Sequence, residues 1–537
     1  MKTVEIVFLL LLLFVAAFGA LACRLRTPYP IILVIAGLLL GFIPGIPRIT
    51  LNPDIVFFVA LPPLLYSAAW RVPWREFSYN LVSIFSLAFG LVTFTVLVIA
   101  EVAQWLLPGF DWRMGFTLGA IVAPTDAIAA TSIARRIGLP QRIVDVLEGE
   151  SLINDASALL AFEFGIAMLV RGQSPTVVSG LLRLAYLAVG GVMVGMLIGV
   201  TVNWFEYRID DGPIEIALSL LTPYATYLAA DSLRASGVLA VVACGLYLSR
   251  RSSDFFSPAV RLQTYAVWDS LTFILNGLVF ILIGLQLPYV LAEARDHSLR
   301  ALLMYGALFS AILILLRLVW MFPGARISNF IRRRALHQRE PAPPARQIFF
   351  VGWTGMRGVI SLAAAISLPH MLMNGVPFAQ RQLIIFLTFS VILVTLVLQG
   401  LTLAPLARAL GLVGVANRNV EEEEARRLIL ETTLRHLDKL RENDKADFTK
   451  VFDDLELHYR DRLATLTEEE TDIHSARYGR YIELSHELLQ VERRTAIRLR
   501  NERRINDDLL RQLEREMDLA EARLLLHAGS LRSRSSG

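Results

Sequence analysis

The chain has 537 residues, 55% of them hydrophobic and only 19% charged, with a mean hydropathy of +0.53; soluble domains average roughly 25% charged residues, so most of this chain belongs in lipid. The formal charge of +4 mixes two environments and gives no support to nucleic-acid binding. Two cysteines, Cys23 and Cys244, in or beside separate apolar runs exclude a disulfide framework and a Cys-x-x-Cys metal site.

The first apolar run, Val4 to Leu21, is followed at once by Arg24 and Arg26, which reads as an uncleaved helix with its N-terminus outside rather than a signal peptide. Apolar runs near the length of about 20 residues that spans a bilayer then recur to about Val415. They begin near residues 4, 29, 52, 80, 114, 143, 178, 213, 235, 264, 300, 346 and 382, which predicts about thirteen transmembrane helices. With the N-terminus outside, the cytoplasmic joints carry Arg24 and Arg26, Arg71 and Arg75, Arg135, Arg136 and Arg142, Arg208, Arg250, Arg251 and Arg261, and a run from Arg326 to Arg346. The opposite joints are sparser in Lys and Arg, Arg48 and Arg295 among them, and this asymmetry predicts a cytoplasmic C-terminal tail.

Two segments are interrupted. The fifth breaks at Ala123-Pro124-Thr125-Asp126 and the twelfth at Gly352, Gly355, Met356, Arg357 and Gly358. An odd count near thirteen divides into two six-helix halves of opposite orientation and a connector, and these breaks then occupy matching positions in the two halves. Such crossing broken helices mark a midplane binding site, because freed backbone groups must line a cavity or be buried in protein.

Between the breaks, the sixth segment carries Glu148, Glu150, Ser151, Asn154 and Asp155 inside an otherwise apolar span. Each ionisable side chain in a membrane helix costs roughly 2.5–3.5 kcal/mol, so each needs a partner or a task. Glu150/Asn154 and Ser151/Asp155 are i,i+4 pairs, which makes a polar stripe directed into the protein. Thr125 and Asp126 beside Pro124 supply carbonyl and carboxylate oxygens, the ligands that hard cations prefer. A carboxylate in a desolvated cavity holds its proton more tightly and an adjacent cation loosens it, so proton and metal ion compete for one group. Asp155 is the group expected to exchange them. Arg357, a permanent charge in a glycine-rich break, is expected to pair with Glu150, which leaves Asp155 free to titrate.

Other polar residues in apolar runs, Glu101, Glu163, Asp231, Asp269 and Arg317, read as helix-end or helix-contact groups, and Asn276 with Gly277 and Gly284 reads as close helix packing. Thr131 and Ser132 extend the oxygen lining of the fifth segment. No Gly-x-x-x-x-Gly-Lys-Ser/Thr loop is present, against a nucleotide-driven pump, and the acidic stripe would repel an organic anion. A cation channel would need a continuous pore instead of a titrating carboxylate. From residue 416 the chain is dense in Glu, Arg, Asp and Lys, which separates a membrane domain, 1–415, from a charged helical tail, 416–537. In that tail Leu510, Leu513, Met517, Ala520 and Leu524 keep a 3,4,3,4 spacing suited either to a short coiled-coil seam or to packing on a neighbouring helix. Gly529 to Gly537 reads as disordered.

The quoted motifs resemble the electroneutral sodium/proton exchanger branch of the monovalent cation/proton antiporter superfamily. Ala123-Pro124-Thr125-Asp126 is similar to the first broken helix of that branch, Gly149-Glu150-Ser151-Leu152-Ile153-Asn154-Asp155 to its ion-site helix, Gly355-Met356-Arg357-Gly358 to its second broken helix, and Leu61-Pro62-Pro63-Leu64-Leu65 to its third-helix motif. The resemblance implies an inverted-repeat fold, a homodimer in the inner (plasma) membrane, and movement of a core domain against a dimerisation domain. It implies exchange of Na⁺ or Li⁺, with K⁺ as the alternative, for H⁺ in pH homeostasis, without cofactor or enzymatic chemistry. Asp155 would carry the ion, Ser151 and Thr125 would help ligate it, Asp126 would support the site, and Glu150 with Arg357 would form a structural ion pair. Asn154 stands where electrogenic relatives carry a second aspartate, which implies one proton per cation. Ser67 stands where many relatives place an acid, a departure that bears on affinity and on the choice between Na⁺ and K⁺.

Overall fold

The computed structural model describes residues 2–25, 27–43, 56–172, 177–293, 298–337, 342–372, 376–413, 420–443, 449–464 and 473–524, the last apart from 503, 505–508, 511–512, 515 and 523. Arg26, Arg48, Arg295, Arg339, the residues 414–419 at the expected domain boundary and the Gly529–Gly537 segment lie outside the described residues. The described residues fall into two compact units, 1–416 and 417–537.

The first unit is all-helical and has the polytopic membrane character expected. In order it comprises α1 Lys2–Leu25, α2 Tyr29–Gly41, α3 Leu61–Arg71, α4 Trp74–Phe85, α5 Val92–Leu106, α6 Trp112–Val122, α7 Ala127–Arg136, α8 Gln141–Arg171, α9 Val177–Glu206, α10 Gly212–Ser232, α11 Gly237–Phe255, α12 Pro258–Glu293, α13 Leu299–Ala335, α14 Ala345–Trp353, α15 Val359–Ile366, α16 Arg381–Val394 and α17 Gly400–Ala409. Among the described residues, 7 helices are long and apolar enough to cross a membrane unaided. Of the other helices in this unit, α10 and α11, at 21 and 19 residues, are long but less apolar, while α6, α7, α14 and α15 are short because the breaks divide them. Helix starts follow ordinary capping chemistry: Asp111 accepts from the Met114 amide at 2.8 Å, and Ser236 and Ser298 accept from Leu239 and Ala301.

Two helical interruptions are those read from the sequence. α6 gives way to α7 through 123–126, and α14 gives way to α15 through 354–358. Two others are π-helical turns without a sequence signal, Ser86–Leu91 between α4 and α5 and Thr395–Gln399 between α16 and α17. The first leaves the Ala88 carbonyl to Ser157 of α8, and the second turns Thr395 Oγ1 to the Arg357 amide in the second break. A hydrophobic core containing Ala130, Leu147, Phe280, Met356, Phe389 and Leu396 surrounds the region where the breaks meet.

α2 lies against α12 with almost no side-chain spacer. A Cβ on Gly37 would collide with the Ile281 carbonyl and one on Gly284 with the Val34 carbonyl, so only glycine permits this approach. Gly277 likewise receives Val15 of α1.

The second unit contains α18 Val420–Asn443, α19 Thr449–Ala464 and α20 Ile473–Asn501, followed by shorter helical stretches. Leu510, Leu513 and Met517 of the 3,4,3,4 pattern bury against Leu489 and Ala496 of α20. The packing alternative is therefore the one this unit adopts along that face.

Candidate functional site

α8 is brought close to α4 by Gly149, whose missing Cβ would sit 2.5 Å from the Ile84 Cδ1. Its polar stripe turns the other way, toward the first break. Pro124 offers no N–H, so α6 cannot run on through it, and the freed Thr125 becomes the hub of the site. The Thr125 hydroxyl donates to Glu150 Oε1 at 3.3 Å and accepts from Asn154 Nδ2 at 3.0 Å. Its carbonyl accepts from Ser151 Oγ at 3.2 Å. Behind this, Ser157 Oγ donates to the Ala88 carbonyl, exposed by the first π turn, at 2.5 Å. The two breaks touch directly: the Asp126 amide donates to the Met356 carbonyl at 2.7 Å.

Glu150 does not pair with Arg357 as expected. Its partner is Arg317 of α13, a fork in which Nη1 donates to Oε1 at 2.5 Å and Nη2 to Oε2 at 2.9 Å, with both side chains buried. Arg317, read from the sequence as a packing residue, thus takes the structural role assigned to Arg357. The physical reason lies in the backbone of the breaks. Arg357 Nε donates to the Val122 carbonyl at 3.1 Å, Nη1 donates to the Gly355 carbonyl, and its own amide is held by Thr395 Oγ1 at 3.2 Å. The Arg357 guanidinium is therefore committed to the C-terminal end of half-helix α6, where partial negative charge collects. Arg317 does the same for the other break, since its Nη2 also donates to the Val351 carbonyl near the end of α14, at 3.2 Å. Each half-helix ends on a buried guanidinium, and the single glutamate is forked by the one that approaches from α13.

Asp155 lies on the wall of a cavity of about 380 Å³ that is also lined by Thr125, Asp126, Ser151, Thr131 and Ser132. It is 7% exposed, and no described side chain hydrogen-bonds to its carboxylate. The charges of Asp126 and Glu150 act on it across the site. Of the expected ligands, Asp155, Ser151, Thr125 and Asp126 are brought together on the wall. Asn154 and Glu150, at 0% and 1% exposure, stand behind it and act through Thr125.

One end of the cavity is edged by Arg71, Arg135 and Glu148. Arg135 pairs with Glu148 at 2.6 Å, and Arg71 pairs with Asp269 at 2.6 Å. Glu163, read as a structural group, pairs with Arg183 at 3.0 Å. The lining also includes the neutral polar residues Tyr29, Ser67, Thr272, Asn276 and Ser361. Ser67, where an acid is common in the resembled branch, accepts from Thr272 Oγ1 at 3.1 Å. Asn276 is the residue whose place the sequence did not signal. Its glycine neighbours do pack helices, yet the residue itself belongs to the cavity lining; helical periodicity alone does not tell a lipid-free contact from a cavity wall.

The chain matches the family model for the sodium/hydrogen exchanger, transmembrane, over residues 9–409. It is 33% identical over 515 residues to a protein of Mycobacterium tuberculosis named an uncharacterized Na⁺/H⁺ exchanger, covering 94% of this chain and 93% of the other. It is 33% identical over 454 residues, 82% of this chain and 66% of the other, to a protein of Bacillus pumilus named a sodium, potassium, lithium and rubidium/H⁺ antiporter. Its fold matches the solved sodium proton antiporter MjNhaP1 of Methanocaldococcus jannaschii with a TM-score of 0.59 at 20% identity, over 76% of this chain and 99% of that one.

Proposed function

This chain belongs to the sodium/hydrogen exchanger family and is a multi-pass membrane cation/proton antiporter, and on that premise we propose that it exchanges one Na⁺ for one H⁺ at Asp155 by alternating access. The observation that carries the reading is the state of the carboxylates. Glu150 is neutralised by a forked guanidinium, while Asp155 faces a cavity with no described side chain donating to it. Of these two, only Asp155 is left to choose between a proton and a cation. Ser151 and the Thr125 carbonyl stand on the same wall as neutral oxygens for a hard monovalent ion. Asp126 supports the site from the break through the hydrogen bond that its backbone N–H donates to the Met356 carbonyl.

Electroneutral stoichiometry follows in this reading from Asn154, an amide that donates to Thr125 where a second carboxylate would add another titrating charge. The cavity edge at Arg71 and Arg135 belongs to joints rich in arginine, which the positive-inside rule assigns to the cytoplasm. The site is accordingly loaded from the cytoplasmic side in this conformation, in a homodimer in the plasma membrane. Li⁺ fits the same oxygens. K⁺/H⁺ exchange is the second reading: the lining has the neutral Ser67 where the resembled branch commonly has an acid, and the Bacillus pumilus relative carries potassium in its name.

The test is cation-induced dissipation of a pH gradient in everted vesicles, for wild type and Asp155→Asn, with and without a valinomycin clamp of the membrane potential. Wild type should respond to Na⁺ and Li⁺ with an amplitude indifferent to the clamp, and Asp155→Asn should be silent while reaching the membrane folded. A wild-type response to K⁺ alone changes the substrate; a working Asp155→Asn overturns the site.

A further inference from the structure

Asn276 is 0% exposed, and neither its side-chain oxygen nor its nitrogen has a hydrogen-bond partner among the described residues. Tyr29 lies close enough to interact with it, but without hydrogen-bonding geometry. A buried amide left unpaired is destabilising, so the unpaired side chain of Asn276 points to a partner from outside the chain. Asn276 is a lining residue of the same cavity as Asp155, the nearest space from which a partner can come. It cannot relax elsewhere, because α12 is locked against α2 through Gly37 and Gly284 and against Val15 of α1 through Gly277. Ser361, 1% exposed, lines the cavity too, and its Oγ also lacks a partner among the described residues. Two residues from different helices, each with a buried, unpartnered side-chain group, therefore line the one cavity that Asp155 also lines.

Resting on the exchange reading, we propose that Asn276, with Ser361, forms a neutral coordination point for the transported cation and its residual water, and that this wall ranks the monovalent ions. The chemistry follows from charge. Carboxylate wall and ion attract each other strongly, but that attraction distinguishes Na⁺, Li⁺ and K⁺ poorly. Discrimination comes from how many waters are replaced by fixed dipoles of set number and field strength. An amide oxygen held on a rigid helix pair is such a dipole, and it adds no charge that would hold the ion too long for release. Because Asn276 neither titrates nor touches the Glu150 pair, it acts on cation affinity and not on the proton step. It is a specificity-determining residue, with Asp155 remaining the exchanging group.

The experiment measures the half-saturating concentrations of Na⁺, Li⁺ and K⁺ in everted vesicles for wild type, Asn276→Leu, Asn276→Gln and Ser361→Ala. Size-exclusion chromatography in detergent checks the fold of each. Asn276→Leu should raise the half-saturating concentration of the preferred ion roughly tenfold, the loss of one ligand to a charged group. It should also narrow the spread among the three ions, while the pH profile, taken at the same multiple of each variant's half-saturating concentration, stays in place. Asn276→Gln, which keeps the amide, should preserve the ranking, and Ser361→Ala should shift it in the same direction as Asn276→Leu by less. Folded Asn276→Leu with wild-type affinities and ranking overturns the proposal while leaving exchange intact. Equal weakening for all three ions, unrelieved in Asn276→Gln, makes Asn276 a packing residue and also overturns it. Wild-type vesicles that move no protons for any cation remove the exchange reading and this inference together.

Discussion

Three charged side chains at the crossing, Glu150, Arg317 and Arg357, are all 2% exposed or less, and their energetics decide which substitutions the protein tolerates. A charge buried without compensation costs several kcal/mol, and deleting one partner of a buried pair typically destabilises by about 3–5 kcal/mol. Arg317→Ala should therefore lower stability by about that much, because it strips Glu150 of both fork bonds and the α14 end of its donor. Thermal unfolding of detergent-purified protein followed by tryptophan fluorescence measures this. Arg357→Ala should cost less, since the groups it leaves behind are the neutral carbonyls of Val122 and Gly355. If Arg357→Ala proves the more damaging, the assignment of the ion pair to Arg317 is wrong. A Glu150→Gln, Arg317→Met double variant should recover part of the loss, because the carboxylate that Arg317→Ala leaves unpaired is then neutral.

At the scale of elements, the protein combines helices that must break with helices that must touch. The breaks create the site: α6 and α14 stop short, their ends are capped by guanidinium groups, and the strands of backbone between them cross at the Asp126–Met356 bond. The contact of α2 with α12 is the opposite case, an approach so close that the Val34 carbonyl occupies the space a side chain at 284 would need. Gly284→Val should force these helices apart. Because such overpacking typically costs about 1–3 kcal/mol and sometimes more, the variant should show reduced yield of monodisperse protein in fluorescence-detected size exclusion. Unchanged yield and melting temperature would mean that the two helices separate freely. Any surviving Gly284→Val protein should also bind cations less well, since α12 carries Asn276 and Thr272 on the cavity wall.

At the scale of the whole molecule, the charge pattern predicts an orientation for the first unit and a compartment for the second. Arginines crowd the joints beside α3, α7, α8, α11 and α13, and these should lie on the cytoplasmic side together with the tail. In a Cys23→Ser background, with Cys244 buried, a cysteine placed at the exposed Leu488 of the tail should react with an impermeant maleimide in everted vesicles and not in intact cells. Labelling in intact cells would invert the topology and, with it, the side from which the Asp155 cavity is entered.

The amino-acid sequence alone determined the membrane character, the all-helical class, the positions of both breaks and the polar stripe of α8. Each of these is a local property: apolar length, a proline or glycine run, and i,i+4 spacing are written over a few consecutive residues. The tail's 3,4,3,4 pattern was equally legible, although its partner within the unit was not. What only the tertiary structure decided is pairing. Arg317 and Arg357 are both single arginines in apolar surroundings, and which of them reaches Glu150 depends on how α13 and the second break approach α8, separations of 167 and 207 residues that no local pattern encodes. The same holds for Asn276: its neighbours Gly277 and Gly284 show in the sequence that helices come close, but which face of α12 meets a helix and which meets the cavity is settled only when α1, α2, α3 and α15 are assembled around it, because burial of a polar group is a property of the assembly and not of the segment.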